Sequence, residues 1–427
     1  MAIRLFVLYS TTIVFCNITI CLPANGDAND LRTLDDYLNY ALLHSAELRA
    51  RFEEWKMALE QVPQARSLDD PKFTYSYFLE EVETKVGPQK EKFGIMQVFP
   101  WFGKLEARAG SAMAKAEAAK KRYDAARLKL FREVKQVFYD YTYLASAISI
   151  AKDNLELLKH FEEIARIRYK TAITTHPDTI RAQIELAKLE NILQSLEQLR
   201  EPIVARAAAV LNRPSGGDLD WPEKHPPVRP KLNHDQIIDL LIANNPQLAS
   251  LNWEITAARN RLSLAEKKFY PDIGIGIDWI DTEKSDATGV KDNGKDPVIL
   301  MFTLNIPLWH DSYKAARRQA DAAVRKAIEE RKAAENDAIA KAIKVLYDIE
   351  DSQRTMDLYE GVLIPKARQS VRTSEAAYRA GTIDFPSLID AQRTLLTYEL
   401  EYEQSVTVNQ QKLAELEMLT GVELANR

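Results

Sequence analysis

Cysteine is almost missing from this chain, and both copies, Cys16 and Cys21, fall within the opening segment 1–26. Once that segment is removed, nothing is left for a disulfide, a thiolate metal site or a cysteine nucleophile. Glycine is scarce too, 14 in 427 residues, whereas Ala, Leu, Glu, Lys, Arg and Gln abound, the composition of a mostly helical protein. Neither sign of charge dominates. The 57 basic and 62 acidic residues leave −5, with no electrostatic footprint for nucleic acid. Beyond residue 26 no apolar run is long enough for a membrane-spanning helix, so any crossing of a membrane has to be made by strands. A glycine-rich phosphate loop, a nucleophile elbow, paired catalytic carboxylates and a histidine-rich or methionine-rich metal motif are all lacking; the six histidines are scattered. The expectation is a protein that is not an enzyme and carries no cofactor or metal.

The opening segment contains what the remainder avoids. Arg4, an apolar run from Leu5 to Leu22, and small residues at Ala24 and Gly26 have the order of an export signal with a cleavage site. The alternative is a retained anchor, because about 18 apolar residues lie near the lower limit for a span. Neither cysteine follows the small residue of a bacterial lipoprotein signal, which disfavours lipidation at Cys21.

The remaining chain reads as one unit written twice: residues 27–213, a proline-rich linker at 214–231, and residues 232–427. In the first unit Leu34, Leu38, Leu42, Leu48, Phe52, Trp55 and Leu59 predict a helix from Thr33 to Ser67. Alternation of Phe73, Tyr75, Tyr77 and Leu79 with Thr74, Ser76 and Glu80 predicts a strand over Lys72–Val82. A polar loop, Glu83–Lys92, leads to a second strand, Phe93–Phe102, each about ten residues long, as a tilted bilayer-crossing strand must be. From Lys104 to Thr171 no proline occurs, and such a helix would be about 100 Å long. Val134, Val137, Tyr141, Leu144, Ile148, Ala151, Leu155 and Leu158 step by three and four, the heptad rhythm of helices wound around each other. A turn and a return helix follow, with Ala182, Leu186, Leu189, Leu193, Leu196 and Ile203 in the same rhythm, interrupted by Arg200 and Pro202.

After the linker the order recurs: a helix over His234–Lys268, two strands, a long helix, a turn, and a last helix to Thr420. Landmarks keep register, with drift only at loops. Pro71-Lys72-Phe73 matches Pro271-Asp272-Ile273 at an offset of 200, Phe99-Pro100 matches Ile306-Pro307 at 207, and Tyr139-Asp140 matches Tyr347-Asp348 at 208. The turn segment Tyr169–Gln183 matches Tyr378–Gln392 at 209, with Pro177 under Pro386. In the second pair of strands Ile273, Ile275, Ile277 and Trp279 alternate with Gly274, Gly276 and Asp278. That division suits an outer-membrane barrel strand, lipid on one side and lumen on the other, and equally a soluble sandwich strand. Four strands cannot close a barrel, and open edges are not tolerated in lipid, so several copies would each contribute four. A periplasmic or secreted coiled-coil scaffold without a pore is the competing reading.

The duplicated order, the junctions QVFPWFGKLEAR and TLNIPLWHDSYKAAR, and the turn YRAGTIDFPSLIDAQ together resemble the TolC-type outer-membrane efflux protein family over essentially all of the chain past residue 26. The QVFPWFGKL form is similar to the branch associated with heavy-metal efflux. The resemblance implies a mainly α fold with a membrane β portion: a homotrimer whose three sets of four strands close a twelve-stranded barrel, over an α-barrel of long helical hairpins. It implies a bacterial outer-membrane channel of a tripartite efflux or type I secretion system, with a periplasmic adaptor and an inner-membrane pump as partners. It also implies a gate at the tip turns. Tyr378 and Asp178 would hydrogen-bond across hairpins, and Asp390 would line the aperture. Ser387 stands where the family has a second aspartate of the ring, and Ile383 where some members have a latching arginine. The tip-turn residues are Gly381, Pro386 and Pro177. On bland readings Asp390 merely favours the helix dipole, Tyr378 is an ordinary interhelical contact, and His176 is a solvated turn residue. Trp101, Phe102 and Trp309 are expected at the membrane boundary as anchoring aromatics, or as packing where strands meet helices.

Overall fold

The computed structural model describes residues 31–170, 176–214, 218–224, 226–231 and 233–424. The export segment with Cys16 and Cys21, the side chain of His176 and the centre of the first tip turn lie outside them. The chain runs through α1 (Leu34–His44), α2 (Ala46–Arg66), β1 (Lys72–Thr84), β2 (Gly87–Phe99), α3 (Lys104–Lys170), α4 (His176–Gln198) and α5 (Arg200–Leu211). The same order then returns as α6 (His234–Asn244), α7 (Pro246–Lys267), β3 (Ile273–Thr282), β4 (Val298–Leu304), α8 (His310–Leu358), a π-helical turn (Tyr359–Leu363), α9 (Ile364–Ala380) and α10 (Phe385–Thr420).

Each expected opening helix is in fact two. Thr33 caps α1 with a capping box, its hydroxyl accepting from the Asp36 N–H while the Asp36 carboxylate accepts from the Thr33 N–H at 2.9 Å. Ser45 then ends α1 and caps α2, its Oγ accepting from the Leu48 N–H. Asn245 does the same between α6 and α7, accepting from the N–H groups of Gln247 and Leu248, with Pro246 at the start of α7. A side-chain oxygen that can satisfy the first free N–H groups of a new helix makes the break inexpensive at both places. The long helix of the second half is also interrupted: Pro365 lacks the N–H that would continue the ladder, and a π-helical turn precedes it.

By contrast, α3 is a single helix of 67 residues, about 100 Å long, and passes Gly110 without a break. Its first part buries Ala107, Ala109, Ala112, Ala114, Ala116, Ala118 and Ala119 between α2 and α7, small side chains that permit close helix approach. Its second part buries all eight heptad residues from Val134 to Leu158. Large side chains there pack against α1, α5 and α10.

The four strands form one antiparallel sheet in the order β1-β2-β3-β4. The segment 83–92, expected as a loop, is mostly paired: the ladder runs to Thr84 opposite Gly87, so the first hairpin closes in a tight turn. The second hairpin keeps its polar loop, which folds back on the first turn, with the Gly294 N–H donating to the Val86 carbonyl at 2.7 Å. The ladders align apolar side chains in rows. Tyr75, Phe93, Trp279 and Val298 stand side by side, as do Phe73, Ile95, Ile277 and Leu300. All but Phe93 of these eight are exposed on the isolated chain. The other face mixes small and polar residues with Met96, Val98, Ile280, Ile299 and Met301; on it Lys92 pairs with Asp278, whose carboxylate sits over Gly94, where a Cβ would collide. No helix among the described residues is long and apolar enough to cross a membrane.

Arg200, which interrupts the heptads of the return helix, begins α5 and grips the linker. Its guanidinium donates to Asp218 and to the Leu219 carbonyl, both at 2.8 Å, and to the Tyr141 hydroxyl, and lies over Trp221. Tyr141 in turn donates to the Leu219 carbonyl and stacks on Trp221. The linker then crosses to the second half through Lys224–Glu403 and Arg229 with Asp357 and Glu360. Replacing Arg200 by Ala removes the hub of this clamp and should cost about 1–3 kcal/mol. Limited proteolysis should show new cleavage within 218–224 while helical circular dichroism is unchanged.

Candidate functional site

The end of α3 and the start of α4 meet the turn between α9 and α10 at the end of the bundle remote from the sheet. There α9 stops at Gly381, whose φ of +79° is left-handed and whose N–H reaches back to Ala377 and Tyr378 carbonyls, with Thr382 completing the closure. Two residues later Asp384 caps α10, accepting from both the N–H and the hydroxyl of Ser387, and Pro386 occupies the first turn, where its missing N–H costs nothing. These two hydrogen bonds from Ser387 hold the Asp384 carboxyl below its usual range. The opposing α4 begins with exposed Pro177 and with Asp178 in its first turn.

Tyr378 lies at the centre of this tip, 1 % exposed. Its hydroxyl donates to Asp178 at 3.4 Å, its ring meets Phe385 edge-on at 5.4 Å, and the Arg168 guanidinium stacks over it at 4.5 Å. The ring therefore contributes mainly through packing and the cation–π contact, and the long hydrogen bond comes second. Phe385, Leu388 and Ile389 fill the space beneath, with Ile383 partly buried against them. Asp390 points outward, its side chain 72 % exposed, and stands 3.5 Å from Arg393. Ser387 is committed to the cap, both its N–H and its hydroxyl being bonded to Asp384.

Sequence reasoning missed a charged tie between the hairpins. Arg393 on α10 holds Glu185 on α4 with two contacts, 2.6 and 3.0 Å, and Lys188 adds a third at 2.8 Å. Partial burial alone would raise the Glu185 pKa, yet Arg393 and Lys188 hold it below the ordinary value. Deeper in, Gln392 donates to Asn154 of α3 in a buried amide pair. Arg393 lies one turn from Asp390, a local hint, but partners on different hairpins carry no local signal.

At the opposite end, the three boundary aromatics separate. Trp101 stacks flat on Tyr270 at 5.4 Å, and its backbone N–H donates to the Asp272 carboxylate. Lys104 closes the same knot, donating to Asp272 at 2.7 Å and to the Tyr270 carbonyl at 2.9 Å. Trp101 thus packs the junction of sheet and helices, whereas Phe102 and Trp309 are 82 % and 79 % exposed. No group of three or more His, Cys, Asp or Glu residues among those described could hold a metal ion.

Comparison with known proteins follows the same division of the chain. Residues 37–205 and 237–422 match the family described as Outer membrane efflux protein. Nodulation protein T of Rhizobium leguminosarum bv. viciae is 22% identical over 262 residues, 60% of this chain; the chain spans only 54% of that relative. Among solved structures, the outer-membrane channel OprN superposes with a TM-score of 0.76 at 17% identity, covering 92% of this chain and 90% of its own. The outer membrane protein VceC from Vibrio cholerae gives 0.74 at 17%, covering 92% and 96%. These likenesses establish the fold.

Two outcomes follow at the tip. Tyr378→Phe keeps the ring and should cost under about 1 kcal/mol, while Tyr378→Ala should cost about 3–5 kcal/mol, in denaturant unfolding of detergent-solubilised protein. Equal losses would mean that the hydroxyl, and not the ring, holds the tip. Because the Glu185 pKa is depressed, its contribution is full above the ordinary carboxylate value of 4.5 and is lost as pH falls through the folded value. Amide exchange in the first turns of α4 should therefore accelerate on acidification, and Glu185→Gln should abolish that pH dependence.

Proposed function

From the chain's membership in the outer membrane efflux protein family, we infer that it is the outer-membrane exit duct of a tripartite efflux or type I secretion system, a passive conduit gated at its helical tip. One observation carries this reading beyond the family: two rows of aromatic and branched apolar side chains, from Tyr75 to Val298 and from Phe73 to Leu300, run in register across all four strands on one mostly exposed face, while the outer edges of β1 and β4 have no strand beside them. A lipid-facing sheet needs such a face and cannot keep such edges, so the strands close with those of further copies. Three copies would make a twelve-stranded barrel, and α3 with its neighbours would continue it as a tube into the periplasm. The exposed Phe102 and Trp309 then fall at the level of the lipid headgroups as amphipathic anchors. The same geometry disfavours the poreless scaffold, which has no use for an apolar sheet face.

Nothing in this arrangement performs chemistry on a substrate. The chain acts as a path and a gate, and the driving force comes from an inner-membrane pump joined through a periplasmic adaptor at the tip. In the gate, Tyr378 and Asp178 bind neighbouring hairpins, and Glu185–Arg393 is a stronger tie beside them. Asp390, exposed near the tip, would form a ring of like charges in the assembly, making the entrance prefer cations.

Planar-bilayer recording on membrane-extracted protein tests the reading. A stable conductance is expected, and Asp390→Asn should lower cation over anion permeability without changing assembly. Recovery of the protein as a soluble monomer with no conductance would overturn it.

A further inference from the structure

Within one chain the two halves meet along α3 against α7 and β2 against β3. The end of that seam is fastened by Lys104 and Asp272, whose side chains are only 9 % and 26 % exposed. The register of the repeats gives each partner a counterpart. Matching Pro100 with Pro307 places Asp311 where Lys104 stands, and matching Pro71 with Pro271 places Lys72 where Asp272 stands. Both signs are reversed. Asp311 lies in the first turn of α8 with its carboxylate in solvent, 3.6 Å from Lys314, and Lys72 is an exposed residue opening β1. They sit at opposite outer edges of the chain, beyond β4 and at β1.

The elements that carry them lack a neighbour on the same sides. Between Lys104 and Ala119, α3 buries nine residues because α2 and α7 flank it; the first part of α8 meets α7, through Arg317–Glu266 and Arg331–Asn252, and buries nothing before Ala338. On the other side α2 buries only Leu48 and leaves Phe52, Met57 and Leu59 exposed. A second copy that set its α2 and β1 against α8 and β4 would repeat the internal seam with its polarity exchanged.

We propose that Lys72 of one copy and Asp311 of the next form an ion pair that fastens the seam between chains, the reversed counterpart of Lys104–Asp272 within each chain. The proposal rests on the closed ring inferred above and adds to it a rule of order. A first half docked on another first half would bring Lys104 to Lys72, and a second half on a second would bring Asp311 to Asp272. Only alternation of halves gives opposite charges at every seam.

Charge exchange tests it. Light scattering in detergent gives the assembly mass, and native gels after heating give its dissociation temperature. Lys72→Glu and Asp311→Lys should each lower that temperature by roughly 5 °C or more, and the double exchange should restore most of the loss. With Cys16 and Cys21 changed to serine, Lys72→Cys combined with Asp311→Cys should yield covalent two- and three-chain species with a short bis-maleimide, and neither single cysteine should. Silent single exchanges, a double variant no better than the worse single, or an intact assembly without cross-links would overturn the ion pair and leave the duct intact. A wild-type monomer without conductance would overturn the ring itself.

Discussion

A helix of 67 residues in a protein owes most of its stability to the packing of its faces and little to intrinsic propensity. This constraint organises everything else in the molecule. The packing partners α1, α2, α4, α5, α7 and α10 are all drawn onto α3, by alanines where backbones must approach closely and by large heptad residues where they need not. The sheet hangs from one end of this spine through Pro100, Trp101 and Lys104. The tip is tied to the other through Arg168 and Tyr378. Strands and tip are therefore set about 100 Å apart by a single continuous element.

The two ends solve different problems with different chemistry. At the sheet the side chains are sorted by face, because one side of every strand has to be apolar. At the tip they are sorted by hairpin, with Glu185–Arg393 and Tyr378–Asp178 linking α4 to α10 and α9. If the tip opens as proposed, such ties could be replaced by water. The two halves are not equal either: α3 is unbroken, whereas the path from α8 to α9 swells into a π-helical turn before Pro365.

What could be read in advance was whatever repeats at short range. The heptads from Val134 to Leu158, the alternation around Ile275 and the helix stop at Gly381 are periodic or local signals, and each corresponds to an observed feature. The breaks at Ser45 and Asn245 escaped because a capping oxygen resembles an ordinary polar residue on a helix, although Pro246 was a local clue. The ladder through 83–92 escaped because charged residues are compatible with a strand that has already left the apolar zone. Arg200 was visible as a fault in a pattern, but its partners, Asp218 and Trp221, lie in irregular chain. The contact of Tyr378 with Asp178 was anticipated from resemblance alone, and Glu185 with Arg393 from nothing, since pairs drawn from opposite halves of the chain leave no mark in either neighbourhood.

The linker clamped by Arg200 has a consequence for the thermodynamics of assembly. A ring of six halves made from separate pieces would lose translational and rotational freedom at five associations, each costing several kcal/mol. Joining the halves in pairs leaves only two such events, with the inner seams formed at high effective concentration inside one chain. Fastening the described part of the joint to Tyr141, Arg200, Glu403 and Asp357 goes further, because a tether pinned at those points holds the halves near their final pose before any second copy arrives. In the three-copy ring proposed above, each chain would enter assembly as one-third already shaped, and the slow, concentration-dependent part of building the duct would be confined to the seams where chains meet.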